Sequence, residues 1–418
     1  MHKFGESKPA DTRRSHGRAY RRLRKKRRAG CDGLTQYQRF LPFWCRVQRS
    51  GVSAKQESLP KKGVYRILIC RPNHRLGNTI LLTPLITELE RLYKGAEIDI
   101  LSEGPIAEEV FTTFFSVKNV YCLPKRGFKH PFRFLGMLLR IREIQYDLIV
   151  DPCLGSGFSR ALTKFLRGRY KLGFSDDATH SGLTHPVPTA AALKHMAQRP
   201  INLLRWAYKH YAGDGETAAE YPSLDIRLSD EERAHGRAVI GQLLPAPRQG
   251  SAAPIVGIFA NATGAKRYPA AWWNEFIAAF EAMSPQARIL ELIPMHGHSM
   301  LGETYPGYYS SDIRRMGAVM AGMDLMITAD CGVMHLAVAS KVPTVGMFCV
   351  TDASVYAPYG LGSCSLMTHG LSAKDAAEQV VRTYAALLGR VAAPNTAAAT
   401  DPELDWNQAG LGSLGLSH

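Results

Sequence analysis

No apolar run in this sequence approaches the ~18 residues that a membrane-spanning helix needs. The nearest candidate, Phe40-Leu41-Pro42-Phe43-Trp44, is far too short. The basic opening, residues 1–28, is not followed by an apolar core and cleavage site, so no secretory leader is expected. There is no Cys-x-x-Cys pair: the eight cysteines, at 31, 45, 70, 122, 153, 331, 349 and 364, are scattered. Several, such as Cys70 and Cys349, sit inside apolar stretches, which favours reduced, buried thiols in a cytosolic protein over disulfides or zinc. Asp-x-Asp is missing too, as is any His/Cys cluster of ligand spacing, so no metal site is expected.

Net charge is also scarce outside one segment. The formal charge of the 418 residues is +16, but residues 1–62 hold 18 Lys/Arg against four acids, which accounts for +14. The remainder is nearly neutral. The block Arg21-Arg22-Leu23-Arg24-Lys25-Lys26-Arg27-Arg28 is expected to be disordered through self-repulsion. Three readings of this tail compete: nucleic-acid binding, attachment to an anionic membrane surface, or a solvated extension. Phe40, Phe43 and Trp44 favour the membrane, so nucleic acid is not the expected partner.

What the chain has is a strand–helix rhythm, repeated in two blocks. Strands are expected at 64–70, 97–101, 119–123 and 147–150, with helices at 80–93, 108–115 and 132–144 between them. Residues 170–225 read less clearly, apart from a helix at 195–211. The Pro-rich stretch 245–254 reads as a linker. The rhythm then restarts: strands at 255–259, 288–293, 325–328 and 343–348, helices at 270–283, 312–323 and 375–388. Residues 391–418 are rich in Ala, Gly and Ser and read as a flexible tail. The expectation is an α/β protein: a basic tail (1–62), a first lobe (63–244), a linker (245–254), a second lobe (255–390) and a tail (391–418). Each lobe would be a parallel, doubly wound sheet, with ligands at the carboxyl ends of the strands and in the cleft between lobes.

The string Ala329-Asp330-Cys331-Gly332-Val333-Met334-His335-Leu336-Ala337 follows a strand and runs into a helix expected at 336–340. A strand, a tight turn with Gly and a helix point free N–H groups and the positive end of a helix dipole at one place, which suits a diphosphate. The competing reading is an ordinary strand-to-helix turn with a core histidine. Thr263, Gly264, Lys266 and Arg267 follow another strand of the same sheet and open on the same edge, so a cation and a hydroxyl can join the turn.

Three ordered segments resemble the glycosyltransferase family 9 heptosyltransferases. The first is Arg66-Ile67-Leu68-Ile69 with Arg71, then Leu76-Gly77-Asn78-Thr79-Ile80-Leu81-Leu82-Thr83-Pro84. The second is Lys266-Arg267-Tyr268-Pro269 with Trp272-Trp273. The third is residues 329–339 followed by Pro343-Thr344-Val345-Gly346-Met347-Phe348. The resemblance implies a GT-B architecture of two Rossmann-like lobes with mainly parallel sheets, donor nucleotide on the second and acceptor on the first. It implies inverting, metal-independent transfer of a heptose from ADP-heptose to a lipopolysaccharide core acceptor. No cofactor is implied beyond the nucleotide-sugar co-substrate. The expected place is the cytoplasm, peripheral on the inner membrane. The alternatives are another sugar nucleotide or acceptor, or a non-catalytic nucleotide-sugar-binding homologue.

Carried over residue by residue, Thr263, Lys266, the N–H groups of Cys331 and Gly332, Asp330 and His335 would serve the donor. Arg71, Gly77 and Asp151 would lie on the acceptor side. Two positions depart from the family pattern. Cys331 stands where Ser or Thr is usual. Asn78 stands where well-known members carry the Asp taken as general base, and an amide cannot accept that proton. Substitute bases on the same edge are His74, Asp151 and Glu103.

Overall fold

The computed structural model describes residues 59–125, 127–177, 180–209, 220–244 and 253–388. The expectations for nearly all of the basic tail, for residues 245–252 of the linker and for residues 391–418 therefore fall outside the described residues.

The first block builds β1 (Arg66–Cys70), α1 (Leu76–Ile80), α2 (Thr83–Leu92), β2 (Glu97–Glu103), α3 (Ile106–Phe111), β3 (Val117–Leu123), α4 (Pro131–Glu143), β4 (Tyr146–Asp151), α5 (Gly157–Phe165), β5 (Gly168–Phe174), β6 (His185–Val187) and α6 (Gln198–Lys209). After α7 (Asp230–Leu243) the second block builds β7 (Ile255–Phe259), α8 (Ala270–Met283), β8 (Arg288–Leu292), β9 (Gly307–Tyr308), α9 (Ile313–Met320), β10 (Leu325–Ala329), α10 (Gly332–Ala339), β11 (Thr344–Phe348), α11 (Ala353–Tyr356), β12 (Cys364–Met367), α12 (Ala373–Thr383) and α13 (Ala385–Leu388).

The two sheets have the same plan. The first runs β3-β2-β1-β4-β5-β6 and the second β12-β11-β10-β7-β8-β9, with every pairing parallel. In each, the chain starts in the middle, winds to one edge, returns and winds to the other. The order reverses between β1 and β4 in the first sheet and between β7 and β10 in the second. In a doubly wound sheet this reversal opens a crevice at the strands' carboxyl ends, because the flanking loops leave in opposite directions. The central strands are buried on both faces, which is why β1 and β10 read as unbroken apolar runs.

Several local outcomes have plain causes. The helix expected at 80–93 is two helices, α1 and α2, joined at Leu81 and Leu82. Pro84 has no N–H to continue the ladder and sits in the first turn of α2, where none is needed. The helix after β10 begins at Gly332, four residues earlier than its apolar pattern suggests, so the turn is only Asp330 and Cys331. Residues 220–228, expected in the first lobe, touch both lobes: on the first, Arg227 pairs with Glu90 and the Asp225 N–H bonds the Thr83 hydroxyl at 3.2 Å, whereas α7 packs on the second. The α7 residue Glu232 pairs with Arg314 on α9 at 2.6 Å, and a Cβ on Gly236 would collide with the Ala318 carbonyl at 2.0 Å. The two helices approach that closely only because Gly236 has no side chain. Asp225 and Ile226 lead into this crossing, through Lys341 to Asp225 at 3.1 Å and the Ile226 N–H to the Ala339 carbonyl at 3.1 Å.

Candidate active site

Both reversal points face one cleft, and the candidate residues collect there. On the second lobe, Asp330 closes β10, with its N–H bonded to the Met347 carbonyl of β11 at 3.0 Å. Cys331 is extended and starts α10 without an oxygen cap. Its sulfur lies 3.6 Å from the Thr328 hydroxyl and faces the N–H groups of Val333 and Met334, while burial pushes the thiol's pKa up. A thiol is a weak acceptor, so the first-turn N–H groups keep most of their capacity for an anion. The helix dipole adds to that pull.

Asp330 is only 4 % exposed, and its carboxylate stands 2.6 Å from the Lys266 ammonium. Lys266 ends a single tight turn, Gly264–Lys266, whose first residue has φ +64° and bends the loop back toward β10. The ammonium also lies 5.8 Å from the centre of the Tyr356 ring. A carboxylate on one side and an aromatic face on another fix this cation in place, while a third of the side chain stays exposed for a ligand. Thr263 heads the same loop with its side chain exposed.

His335, one turn into α10, is buried and neutral: burial drives its pKa down to about 4, against the opposing pull of Asp330. Its ring abuts the first lobe. A Cβ on Gly77 would lie 2.9 Å from His335 Cδ2 and 3.2 Å from Gly332 Cα, and one on Gly332 would lie 3.0 Å from the Gly77 nitrogen. The starts of α1 and α10 therefore touch, glycine against glycine, and bring Asn78 within a residue of the contact.

Around α1, Asn73 shapes the loop: its side-chain oxygen accepts from the Arg75 N–H at 2.9 Å and from Asn78 Nδ2 at 3.2 Å, and its carbonyl accepts from Ser102. His74 Nδ1 lies 3.2 Å from Glu103 Oε2. A carboxylate at Nδ1 holds the proton there and leaves Nε2 as the basic nitrogen. Arg71 is 9 % exposed, with Nη1 3.6 Å from Cys153 Sγ and Nε without a partner among the described residues.

Asp151 does not fill the role expected of it. It is fully buried, taking a hydrogen bond from Ser159 at 2.7 Å, one from the Cys153 N–H at 3.1 Å and an ion pair with Arg160 at 3.0 Å. Burial pulls its pKa up against these partners. It braces the loop after β4 and cannot reach an acceptor.

One stretch was missed from the sequence. Residues 193–199 of the first lobe clamp the segment around α11: Lys194 pairs with Asp352 at 2.9 Å, His195 Nε2 meets the Ala357 carbonyl at 2.9 Å, and the Met196 N–H bonds the Val355 carbonyl at 2.9 Å. This clamp sets Arg199 near Tyr356 and Arg71. Burial lowers the Arg199 pKa, Tyr356 opposes that, and the Arg71 charge adds to it. Tyr356 in turn stands beside both Lys266 and His335. The helix expected at 195–211 starts only at Gln198, so His195 lies in the loop ahead of α6, and nothing in the sequence pairs that loop with residues 352–357.

Among the described residues, no group of three or more His, Cys, Asp or Glu side chains is placed to hold a metal, and no helix is long and apolar enough to cross a membrane. On the second lobe the positive groups are the Lys266 ammonium and the start of α10; on the first stand Arg71 and Arg199, the latter with its guanidinium bonded to the Leu193 and Lys194 carbonyls and to Met196 Sδ.

The model of glycosyltransferase family 9 (heptosyltransferase) matches residues 137–381. No curated protein sequence matches the chain. Among solved structures, a family 9 glycosyl transferase from Veillonella parvula DSM 2008 is similar with a TM-score of 0.64 and 17 % identity, covering 79 % of this chain and 99 % of that one. The E. coli heptosyltransferase WaaC, solved with ADP-2-deoxy-2-fluoro heptose, has a TM-score of 0.55 and 18 % identity over 76 % of this chain and 99 % of its own. E. coli ADP-heptose lps heptosyltransferase II has a TM-score of 0.58 and 17 % identity, covering 77 % and 98 %. At these identities the likeness is one of fold: two facing Rossmann-like lobes, the GT-B arrangement.

Proposed function

This chain belongs to glycosyltransferase family 9, and we propose that it is an inverting, metal-independent glycosyltransferase that moves a heptose from ADP-heptose to a lipopolysaccharide core or related lipid-linked glycan. The observation that carries the reading is the meeting of the two reversal points: the Lys266 ammonium and the uncapped start of α10 face the first-lobe loop that holds His74 and Asn78. That E. coli WaaC is solved with an ADP-heptose analogue supports the choice of donor.

In this reading the diphosphate lies on the N–H groups at Cys331 and Gly332 and on Lys266, with the exposed Thr263 hydroxyl beside them. Asp330 holds Lys266 with one oxygen and keeps the other for sugar hydroxyls. An acceptor hydroxyl attacks the anomeric carbon from the face opposite the diphosphate. The new C–O bond forms as the old one breaks, and the diphosphate leaves with the bonding electron pair. Lys266 and the helix start stabilise that charge without needing to reorganise. The hydroxyl proton passes to His74 Nε2, with Glu103 stabilising the imidazolium. Asn78 accepts no proton; its Nδ2 is engaged by Asn73, and Oδ1 is left to orient the hydroxyl.

The direct test is incubation with ADP-heptose and a truncated core lipid, measuring ADP release and the anomeric configuration of the product. Inverted product with no loss of rate in chelator is the expected outcome. Donor binding without ADP release from any acceptor would leave a nucleotide-sugar-binding protein instead.

Arg71, whose Nε has no partner among the described residues, favours an acceptor that carries negative charge. Arg71→Ala should raise the acceptor KM by about tenfold or more, the scale of one charge-assisted hydrogen bond, while the donor KM stays constant. Equal rises in both would place Arg71 in the framework of the cleft.

A further inference from the structure

One face of α4 is unlike the rest of the surface. Inward, Leu138 and Ile141 are buried, and Phe134 and Met137 pack against the same cluster, which contains Leu68, Leu101 and Ile149. Outward, Phe132 is 90 % exposed, Leu135 48 % and Leu139 47 %. These three lie at i, i+3 and i+7, so they form one apolar stripe along the solvent side. Scattered exposed apolar residues are ordinary, but an aligned stripe headed by a bare Phe is not.

The surroundings of the stripe are of one charge. From Pro124 to Arg142 the sequence has six Lys/Arg and no acid. Lys125, Lys129, Arg133 and Arg140 are exposed, whereas Arg142 turns inward over the Phe165 ring. The start of α4 is tied to the start of α5 by the stacked rings of Phe134 and Phe158. Both helices leave the carboxyl edge of the sheet, as does the loop that carries Leu154, 41 % exposed. The stripe thus begins at the edge on which the His74 and Gly77 loop opens.

We propose that the outer face of α4 docks on an anionic lipid surface, with Phe132, Leu135 and Leu139 at the headgroup–acyl boundary and Lys125, Lys129, Arg133 and Arg140 on the headgroups. A convex apolar stripe inside a basic rim suits a bilayer, since burial and electrostatic attraction then act together. A second copy of the chain fits poorly, because it would set two acid-free basic rims against each other. Docked this way, the first lobe presents its acceptor-side loops to the membrane surface. The inference is independent of which sugar is moved, and it is separate from any binding by the basic segment 1–62.

The test uses the full chain and flotation with phosphatidylcholine vesicles, with and without phosphatidylglycerol. Phe132→Ser/Leu135→Ser/Leu139→Ser should weaken partition to the anionic vesicles by about tenfold or more at high salt, where burial dominates, with thermal melting unchanged. A second variant, Lys129→Glu/Arg133→Glu/Arg140→Glu, keeps the apolar stripe and should lose partition at low salt, so the proposal stays testable if the first variant melts early. Wild-type partition by both variants would move membrane contact to segment 1–62 and overturn the proposal. Self-association of the wild type in sedimentation velocity, abolished by the serine variant without vesicles, would overturn it as well by making the stripe a contact between copies.

Discussion

Lys266→Ala is expected to weaken binding of ADP and ADP-heptose by about two orders of magnitude, read as Kd in calorimetry. Two terms add. A charge-assisted hydrogen bond to phosphate contributes about 1.5–3 kcal/mol, a factor of roughly 10 to 150. The second term comes from Asp330, which is 4 % exposed and pairs with Lys266 at 2.6 Å. Without the ammonium, a buried carboxylate faces the incoming diphosphate with nothing between them, and removing one partner of a buried pair is costly. The two terms separate in a double-mutant cycle. Lys266→Ala/Asp330→Asn should recover part of the lost affinity for ADP, because the repulsion is gone. Lys266→Arg should lose less than Lys266→Ala, since charge is retained while the fit beside Tyr356 changes. Unchanged ADP affinity in Lys266→Ala would remove this residue from the donor site.

How much of this was readable beforehand depends on where the information sits. β7 and α8 have the limits that their residue patterns indicate, Ile255–Phe259 and Ala270–Met283, because a fully apolar strand and a Pro-led amphipathic helix are local signals. The region after β4 was harder. Strand β5 carries Arg169 and Lys171 and is only part-buried along its first half, so its composition resembles a loop. The packing of α7 on the second lobe depends on Gly236 meeting Ala318 and on Glu232 meeting Arg314, both long-range facts. At the site, the motif residues Lys266, Asp330 and Gly332 could be named because each lies on a turn with its own chemistry. That Asp330 holds Lys266, that Gly77 and Gly332 touch, and that residues 193–199 grip the α11 segment follow only from how the two lobes face each other. Asp151 is placed by the sequence at the acceptor-side edge, where it is one of three substitute bases; that Ser159 and Arg160 arrive from α5 to cover it is visible only in the fold.

The largest expected effect on turnover belongs to His74. His74→Ala should lower kcat by about 10²–10⁴, the usual worth of a positioned general base, while the Kd for ADP-heptose stays as in the wild type. The reasoning starts from what the other candidates lack. Asn78 is an amide, and Asp151 is enclosed. Glu103 is itself a candidate base, but it is 3.2 Å from His74 Nδ1 and so acts most directly through the ring. Glu103→Gln should therefore give an intermediate loss: a neutral partner still orients the ring but stabilises the imidazolium less. Asn78→Asp supplies a carboxylate one residue after Gly77, where the two helix starts touch. In a His74→Ala background it should restore part of the rate if the attacking hydroxyl passes between the two positions. Full activity in His74→Ala would return the search for the base to the acceptor itself. Loss of donor binding in that variant would instead mean that the 71–75 loop, held by Asn73, had collapsed against α10.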